Sequence, residues 1–279
     1  MGGFHGDRVL VRQAILLMGA IGLLGAAPPA RDWRPLDLEN ALVVDTSQGR
    51  IIVELRPEFA PLGVARIKRL ARDGVYDGLQ FHRVIDGFVD QTGNPNNRDG
   101  GVSSFPDLAP EFQFRLPEQT GVLVVDRVDA QERFLGATPY VATSLAEQAR
   151  DPSRRQRGWG AYCAGVVGMG RQADPGSANS EIFFMREPAR RLDHEYTVVG
   201  RAVVGLEVIR RMAVGEPPDH PDRMLRVQVA ADLSPGDQPN LEILDERGPK
   251  FAMRLRQLQR ERGARFSICD LGVEVRDRR

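Results

Sequence analysis

The chain is short of cysteine and lysine and carries no excess of charge. Its only cysteines are Cys163 and Cys269. Two thiols cannot complete a four-thiolate zinc site, and no histidine stands at ligand spacing from either. Sequence does not say whether their Cα atoms approach within bridging range, so buried free thiols and a disulfide both stay open. Lys+Arg and Asp+Glu are each 38, which removes the electrostatic case for nucleic acid or an acidic partner. Lys68 and Lys250 are the only lysines, a compositional bias without a chemical reading. The longest apolar run, Ala14 to Ala27, falls short of the roughly 20 residues of a membrane span. Repeats and low-complexity tracts are absent. Hydrophobic residues make up 42% of 279, enough for a sizeable core in one domain with additions or in two small ones.

Arg8 and Arg12 precede that apolar run, and small residues follow it. This is the layout of a secretory signal peptide, or of an N-terminal anchor if uncleaved, over residues 1–30. A buried core helix is the competing reading, but the run has no polar face. Cleavage is expected between Gly25 and Ala30. The mature protein is then exported, expected in the periplasm, and meets an oxidising compartment. A membrane partner arises only if the segment stays attached.

The stretch Tyr76 to Pro95 organises the rest of the chain. Phe81, Arg83 and Ile85 alternate with His82 and Val84, so Arg83 shares a strand face with apolar neighbours. Asp86-Gly87 signals a hairpin turn, and Phe88-Val89 opens the next strand. A guanidinium beside apolar groups can bind a carbonyl in a dry groove. The plainer reading is an edge-strand arginine at the rim of a β-structure. Upstream, Leu42–Thr46 and Arg50–Leu55 form a hairpin around Ser47-Gln48-Gly49. Pro61 suits a helix start; Val64, Ile67, Leu70 and Ala71 recur at helical spacing, and Gly74 ends the run. Gly165–Arg171, Ser180–Met185 and Met224–Ala231 read as strands, and Gly205–Ile209 begins a helix. The glycines at 165–170 do not form a phosphate loop, because the Lys-Ser/Thr pair and the following helix are missing.

Four ordered motifs, Ala60–Gly78, Tyr76–Pro95, Gly165–Phe184 and Leu192–Ile209, resemble those of the cyclophilin family of peptidyl-prolyl isomerases. The resemblance spans roughly 40–112 and 164–232. It implies a mainly β fold: a closed eight-stranded antiparallel β-barrel capped by two helices. The domain is expected over 31–235, with an insertion at about 113–162 and a C-terminal helix–strand extension at 236–279. In the insertion, Thr120–Val125 suggests a strand and Ser144–Arg150 a short helix, while Arg154, Arg155 and Arg157 read as a solvated basic loop. In the extension, Phe251, Leu255 and Leu258 mark an amphipathic helix ended by Gly263, and Phe266 to Val275 a strand.

By the same resemblance Arg83 is the catalytic cation and Gln91 supports it and binds substrate backbone. Phe88, Val89, Phe183 and Leu192 form a proline pocket, and Tyr196 stands where many members have histidine. Gly170 and Arg171 match a pair that binds the residue before proline. Glu181 replaces a usual glutamine and is expected either beside Arg83, blunting it, or turned towards Arg171. Arg191 stands where many members have tryptophan, at a pocket wall. His82 is expected to hydrogen-bond inside the barrel. No cofactor or metal is implied, and the partners are proline-containing polypeptides, met by a monomer. A non-catalytic peptide-binding or chaperone module on the same barrel is the alternative. Asp193-His194 with a serine would suggest a hydrolase, but the pair lies in a turn and no nucleophile motif exists.

Overall fold

The computed structural model describes residues 1–3, 31–94, 103–153 and 155–278; the apolar run and Arg154 lie outside them. Its strands open with β1 (Trp33–Pro35), β2 (Ala41–Thr46) and β3 (Gly49–Leu55), followed by helix α1 (Pro61–Arg72). Next come β4 (Arg83–Ile85) and β5 (Val89–Thr92). The insertion supplies β6 (Phe114–Pro117), β7 (Val122–Asp126), β8 (Ala130–Leu135), β9 (Thr138–Thr143), α2 (Leu145–Gln148) and β10 (Arg155–Gly160). The chain returns through β11 (Val166–Met169), β12 (Ile182–Met185), β13 (Val198–Val204), α3 (Leu206–Arg211) and β14 (Met224–Val229). It ends with β15 (Leu241–Leu244), α4 (Pro249–Arg262) and β16 (Val275–Asp277).

An eight-stranded sheet runs β14-β2-β3-β13-β11-β12-β5-β4, every pair antiparallel. Alternating apolar residues line its concave side, and α1 and α3 cover that core. Val64, Ile67, Leu70 and Ala71 of α1 and Val208 and Ile209 of α3 join Val44, Val53, Phe81 and Phe184 there. Pro61 starts α1 because its missing N–H would be unsatisfied in the first turn anyway. The sheet is curled, but its ladder does not close. It stops at β4 and β14, where Gly78, Phe81 and Met224 make isolated backbone bonds and Gln80 and Arg223 one bridge. Of the expected barrel, the eight antiparallel strands and their curl are present, with the ladder open between β4 and β14. The segment before β4 is turn-like, so it cannot continue a regular ladder.

The insertion folds as a sheet of its own, ordered β6-β10-β9-β8-β7. Its apolar face, with Phe114, Phe134 and Tyr140, packs against Phe59, Val198 and the α4 residue Phe251. The C-terminal residues turn back onto the body. β15 pairs with both β1 and β16, and Cys163 and Cys269 form a disulfide with Cα atoms 5.0 Å apart. The bridge removes the free-thiol alternative. Arg201 of β13 adds a further tie, its buried guanidinium donating to the carbonyls of Ala164, Ala137 and Leu271. Burial without a carboxylate brings its pKa down to about 10. Within the strand expected over 266–275 a 3-10 turn occupies Ile268–Asp270, and only Val275–Asp277 is extended. Ser267 and Asp270 cap that turn and divert the backbone. Among the described residues no helix is long and apolar enough to cross a membrane.

Candidate active site

Strand register assembles the site. Arg83 opposes Gln91 across β4 and β5, Gln91 opposes Phe183 across β5 and β12, and Phe183 opposes Gly168 across β12 and β11. Directly opposed residues share a sheet face, so Arg83, Gln91 and Phe183 form one row. Val89 and Glu181 lie two residues along their strands, and Gly170 two beyond Gly168, which keeps them on that face. The row borders a depression of about 80 Å³ lined by Arg83, Phe88, Val89, Gln91, Gly170, Arg171, Phe183, Leu192 and Tyr196. The structure thus brings together every site residue expected from sequence except Glu181.

Arg83 is held from two sides. Its Nη1 donates to Gln91 Oε1, and its Nε donates to Glu216 Oε2 at 2.6 Å. Glu216 is 54% exposed and Arg83 29%, so the pair is wet on one side. Glu181 meets neither arginine as expected. It is fully buried behind the row, accepting from Gln91 Nε2 at 2.8 Å, with its other oxygen 3.5 Å from His82 Nε2. Among the described residues, Glu181 therefore reaches Arg83 through Gln91. The reason is steric: a Cβ on Gly170 would fall on the Glu181 side chain, so the glycine leaves the carboxylate room to lie inward.

Sequence reading missed Glu216, which is 133 residues from Arg83 and belongs to no recognisable motif. Tertiary hydrogen bonding places it. Val84 and Gly215 exchange backbone bonds of 2.8 and 2.9 Å, which sets the residue after Gly215 beside Arg83. Asp222 secures the same segment by accepting from the Ala213 N–H at 2.8 Å. Burial alone would raise the Asp222 carboxyl, but hydrogen bonds from Ser47, Ala213 and Gln48 outweigh it and hold it below its ordinary value.

The pocket wall is aromatic. Tyr196 meets Phe183 edge-on at 5.5 Å, and Tyr162, also unforeseen, stacks behind Phe183 at 5.7 Å. Burial pushes the Tyr162 phenol well up. Its backbone fixes the Leu192 turn: the Tyr162 N–H donates to Asp193 Oδ1, and the Ala189 N–H donates to Tyr162 O, each at 2.9 Å. Arg171 lies 4.5 Å from the Tyr196 ring centre and donates to the carbonyls of Glu195 and Gln172. Arg191 lies over the Phe88 ring at 4.3 Å. Asp193 is used by Tyr162 and Arg190, while His194 stacks on Trp159 at 3.8 Å, so the two serve structure rather than a hydrolase triad. Among the described residues, no cluster of His, Cys, Asp or Glu is placed to hold a metal ion.

Residues 41–229 match the family described as cyclophilin type peptidyl-prolyl cis-trans isomerase/CLD. The chain belongs to the cyclophilin-type peptidyl-prolyl cis-trans isomerase family. A probable peptidyl-prolyl cis-trans isomerase of Brucella suis biovar 1 (strain 1330) is 30% identical over 233 residues, 78% of this chain and 91% of that one. Peptidyl-prolyl cis-trans isomerase B of Bacillus subtilis (strain 168) is 29% identical, with 60% of this chain and 85% of the relative covered. Among solved structures, the cyclophilin AquaCyp293 from Hirschia baltica superposes with a TM-score of 0.80 at 32% identity, covering 88% of this chain and 94% of that one. These Brucella and Hirschia comparisons cover more of the chain than the 41–229 span of the family match.

Proposed function

We propose that this cyclophilin catalyses rotation about X–Pro bonds in exported polypeptides and so assists their folding. One observation carries the reading: Arg83, fixed by Gln91 and Glu216, stands at the edge of an apolar pocket formed by Phe88, Val89, Phe183 and Leu192. Amide resonance sets a barrier of about 20 kcal/mol to the rotation. No covalent bond is made or broken, so the task is to hold the ring, exclude water and favour the twisted amide. As the amide twists, its nitrogen becomes pyramidal and basic. A preorganised cation that hydrogen-bonds there, or to the adjoining carbonyl, lowers the barrier. Gln91 and Glu216 occupy Nη1 and Nε, and among the described residues none accepts from Nη2. That nitrogen is the one directed to substrate. Gly170 and Arg171 border the end of the pocket that takes the residue before proline.

Export is part of the proposal. The charged and apolar N-terminal residues support it, and so does the Cys163–Cys269 bridge, which an oxidising compartment permits. Closure of the curled sheet into a barrel is supported by the bonds from Gly78 N–H to Met224 O, Met224 N–H to Leu79 O and Phe81 N–H to Asp222 O. Catalysis is tested by NMR exchange on a proline tetrapeptide with the folded protein. Accelerated cis–trans exchange is expected. The Arg83–Glu216 pair favours one other reading, a peptide-binding module whose cation is neutralised. Binding without accelerated exchange would establish that reading instead. Mass spectrometry of protein from its native host should give an N-terminus between Ala26 and Asp32; a full-length cytoplasmic main form would overturn export.

A further inference from the structure

The arginines around the pocket are not equivalent in charge. Arg83 is paired with Glu216 at 2.6 Å, and Arg171 has Glu195 at 3.7 Å. Arg190 is paired with Asp193 at 2.6 Å and Glu132 at 3.2 Å. Arg191 is exposed, and no described carboxylate lies within ion-pair distance of it. Yet it is not loose: one face of its guanidinium lies on the Phe88 ring, 4.3 Å from its centre, and Phe88 lines the pocket. An aromatic face that holds a guanidinium leaves the N–H edge outward, ready for a carboxylate in the forked geometry arginine favours.

Register fixes which end of the pocket this is. Val89 opposes Met185, whereas Gln91 opposes Phe183 and Thr92 opposes Ile182. Gly170 bonds to Glu181, beyond Ile182. Phe88 and Arg191 therefore stand at one end, and Gly170 and Arg171 at the other. If the latter end takes the residue before proline, the chain leaves the proline past Arg191.

We infer that Arg191 selects substrates with an acidic side chain on the C-terminal side of the isomerised proline. The inference rests on the isomerase reading, which supplies the direction of the bound chain. An aspartate or glutamate at that point finds a cation already oriented and not neutralised, while a lysine is repelled. An exposed ion pair supports a preference of about threefold for Glu over Gln. Salt should erase it, since the screening length falls from about 10 Å at 0.1 M to about 3 Å at 1 M.

The test uses the full chain and three peptides that differ only after the proline, carrying Glu, Gln or Lys. NMR gives both the exchange rate and the binding isotherm for each. The parent should rank Glu above Gln above Lys in low salt, and the ranking should flatten at high salt. Arg191→Gln should flatten it at any salt, and Arg191→Glu should invert it. Equal treatment of the three peptides by the parent overturns the inference, as does a ranking that survives in folded Arg191→Gln. Absence of catalysed exchange on every peptide defeats the isomerase reading instead, and the binding isotherms then still decide the role of Arg191.

Discussion

The Glu181 carboxylate fills the space that a Cβ on Gly170 would occupy. The two positions are therefore one structural unit, although one borders the pocket and the other is buried behind it. Glu181 in turn holds Gln91, and Gln91 holds Arg83. Gly170→Ala should push Glu181 aside, release Gln91 and lower the isomerisation rate. Glu181→Ala should also lower it, but the double variant should lose less than the sum, because the clash and its victim are removed together. A double-mutant cycle on the exchange rate measures this, and strict additivity would show the two residues to be independent.

Arg83→Ala removes the preorganised cation. A fall of about 10²-fold in the catalysed rate is expected, in line with the loss of one such donor. The fold should survive, because Arg83 is partly exposed. Phe183→Ala should behave differently. Phe183 is 4% exposed and packed against Tyr162 and Tyr196, so its loss should weaken peptide binding and cost about 3 kcal/mol of stability. Urea unfolding and exchange rates together separate the two; full activity in folded Arg83→Ala would remove it from the mechanism.

Glu216 is expected to position Arg83 rather than to oppose it. Glu216→Gln keeps an oxygen acceptor for Arg83 Nε and should stay near the parent rate, whereas Glu216→Ala should lose several-fold in kcat with little change in KM. Because the pair is half exposed, its stabilising worth is about 1 kcal/mol or less, and unfolding midpoints should hardly move. A rate that rises on Glu216→Ala would mean that the carboxylate competes with substrate.

Acid should loosen the segment that carries Glu216. The Asp222 carboxyl is held below its ordinary value, so its contribution is present above an unfolded pKa of about 3.9 and is lost as pH falls through the folded one. Asp222→Asn cannot titrate. Its urea midpoint should start lower at neutral pH and lack one part of the decline that the parent shows below about pH 4. Parallel curves for the two proteins would contradict this.

Reduction should cost the C-terminal extension its anchor. The Cys163–Cys269 bridge spans 106 residues of sequence, and closing a loop of that size is worth on the order of 4 kcal/mol in the chain-entropy account. Cys269→Ser should lower the unfolding free energy accordingly and remove the difference between reduced and oxidised samples. Since Cys163 adjoins Tyr162, which backs Phe183 and secures the Leu192 turn, peptide affinity should fall as well.

The hairpins, α1 and the Asp86-Gly87 turn were legible in the sequence, and Arg83, Gln91 and Phe183 were named there by family resemblance. Their information is local: period-two and helical patterns, a proline at a helix start, a turn dipeptide, and motifs in fixed order. The pocket lining could be named in advance because the ordered motifs resemble those of the cyclophilin family, not because register was readable. Other features depended on contacts between residues far apart in sequence. The tertiary fold alone decided that Glu216 rather than Glu181 meets Arg83, because a backbone exchange between Val84 and Gly215 brings it there. It decided that Glu181 lies inward, because Gly170 has no side chain of its own to fill the space Glu181 occupies. It joined Cys163 to Cys269 and put a capped 3-10 turn at Ile268–Asp270 inside the expected strand, since packing against the body outweighs local β propensity. Hydrogen bonds and close packing act across space, and a pattern read along one chain records them only when the partners are neighbours in sequence.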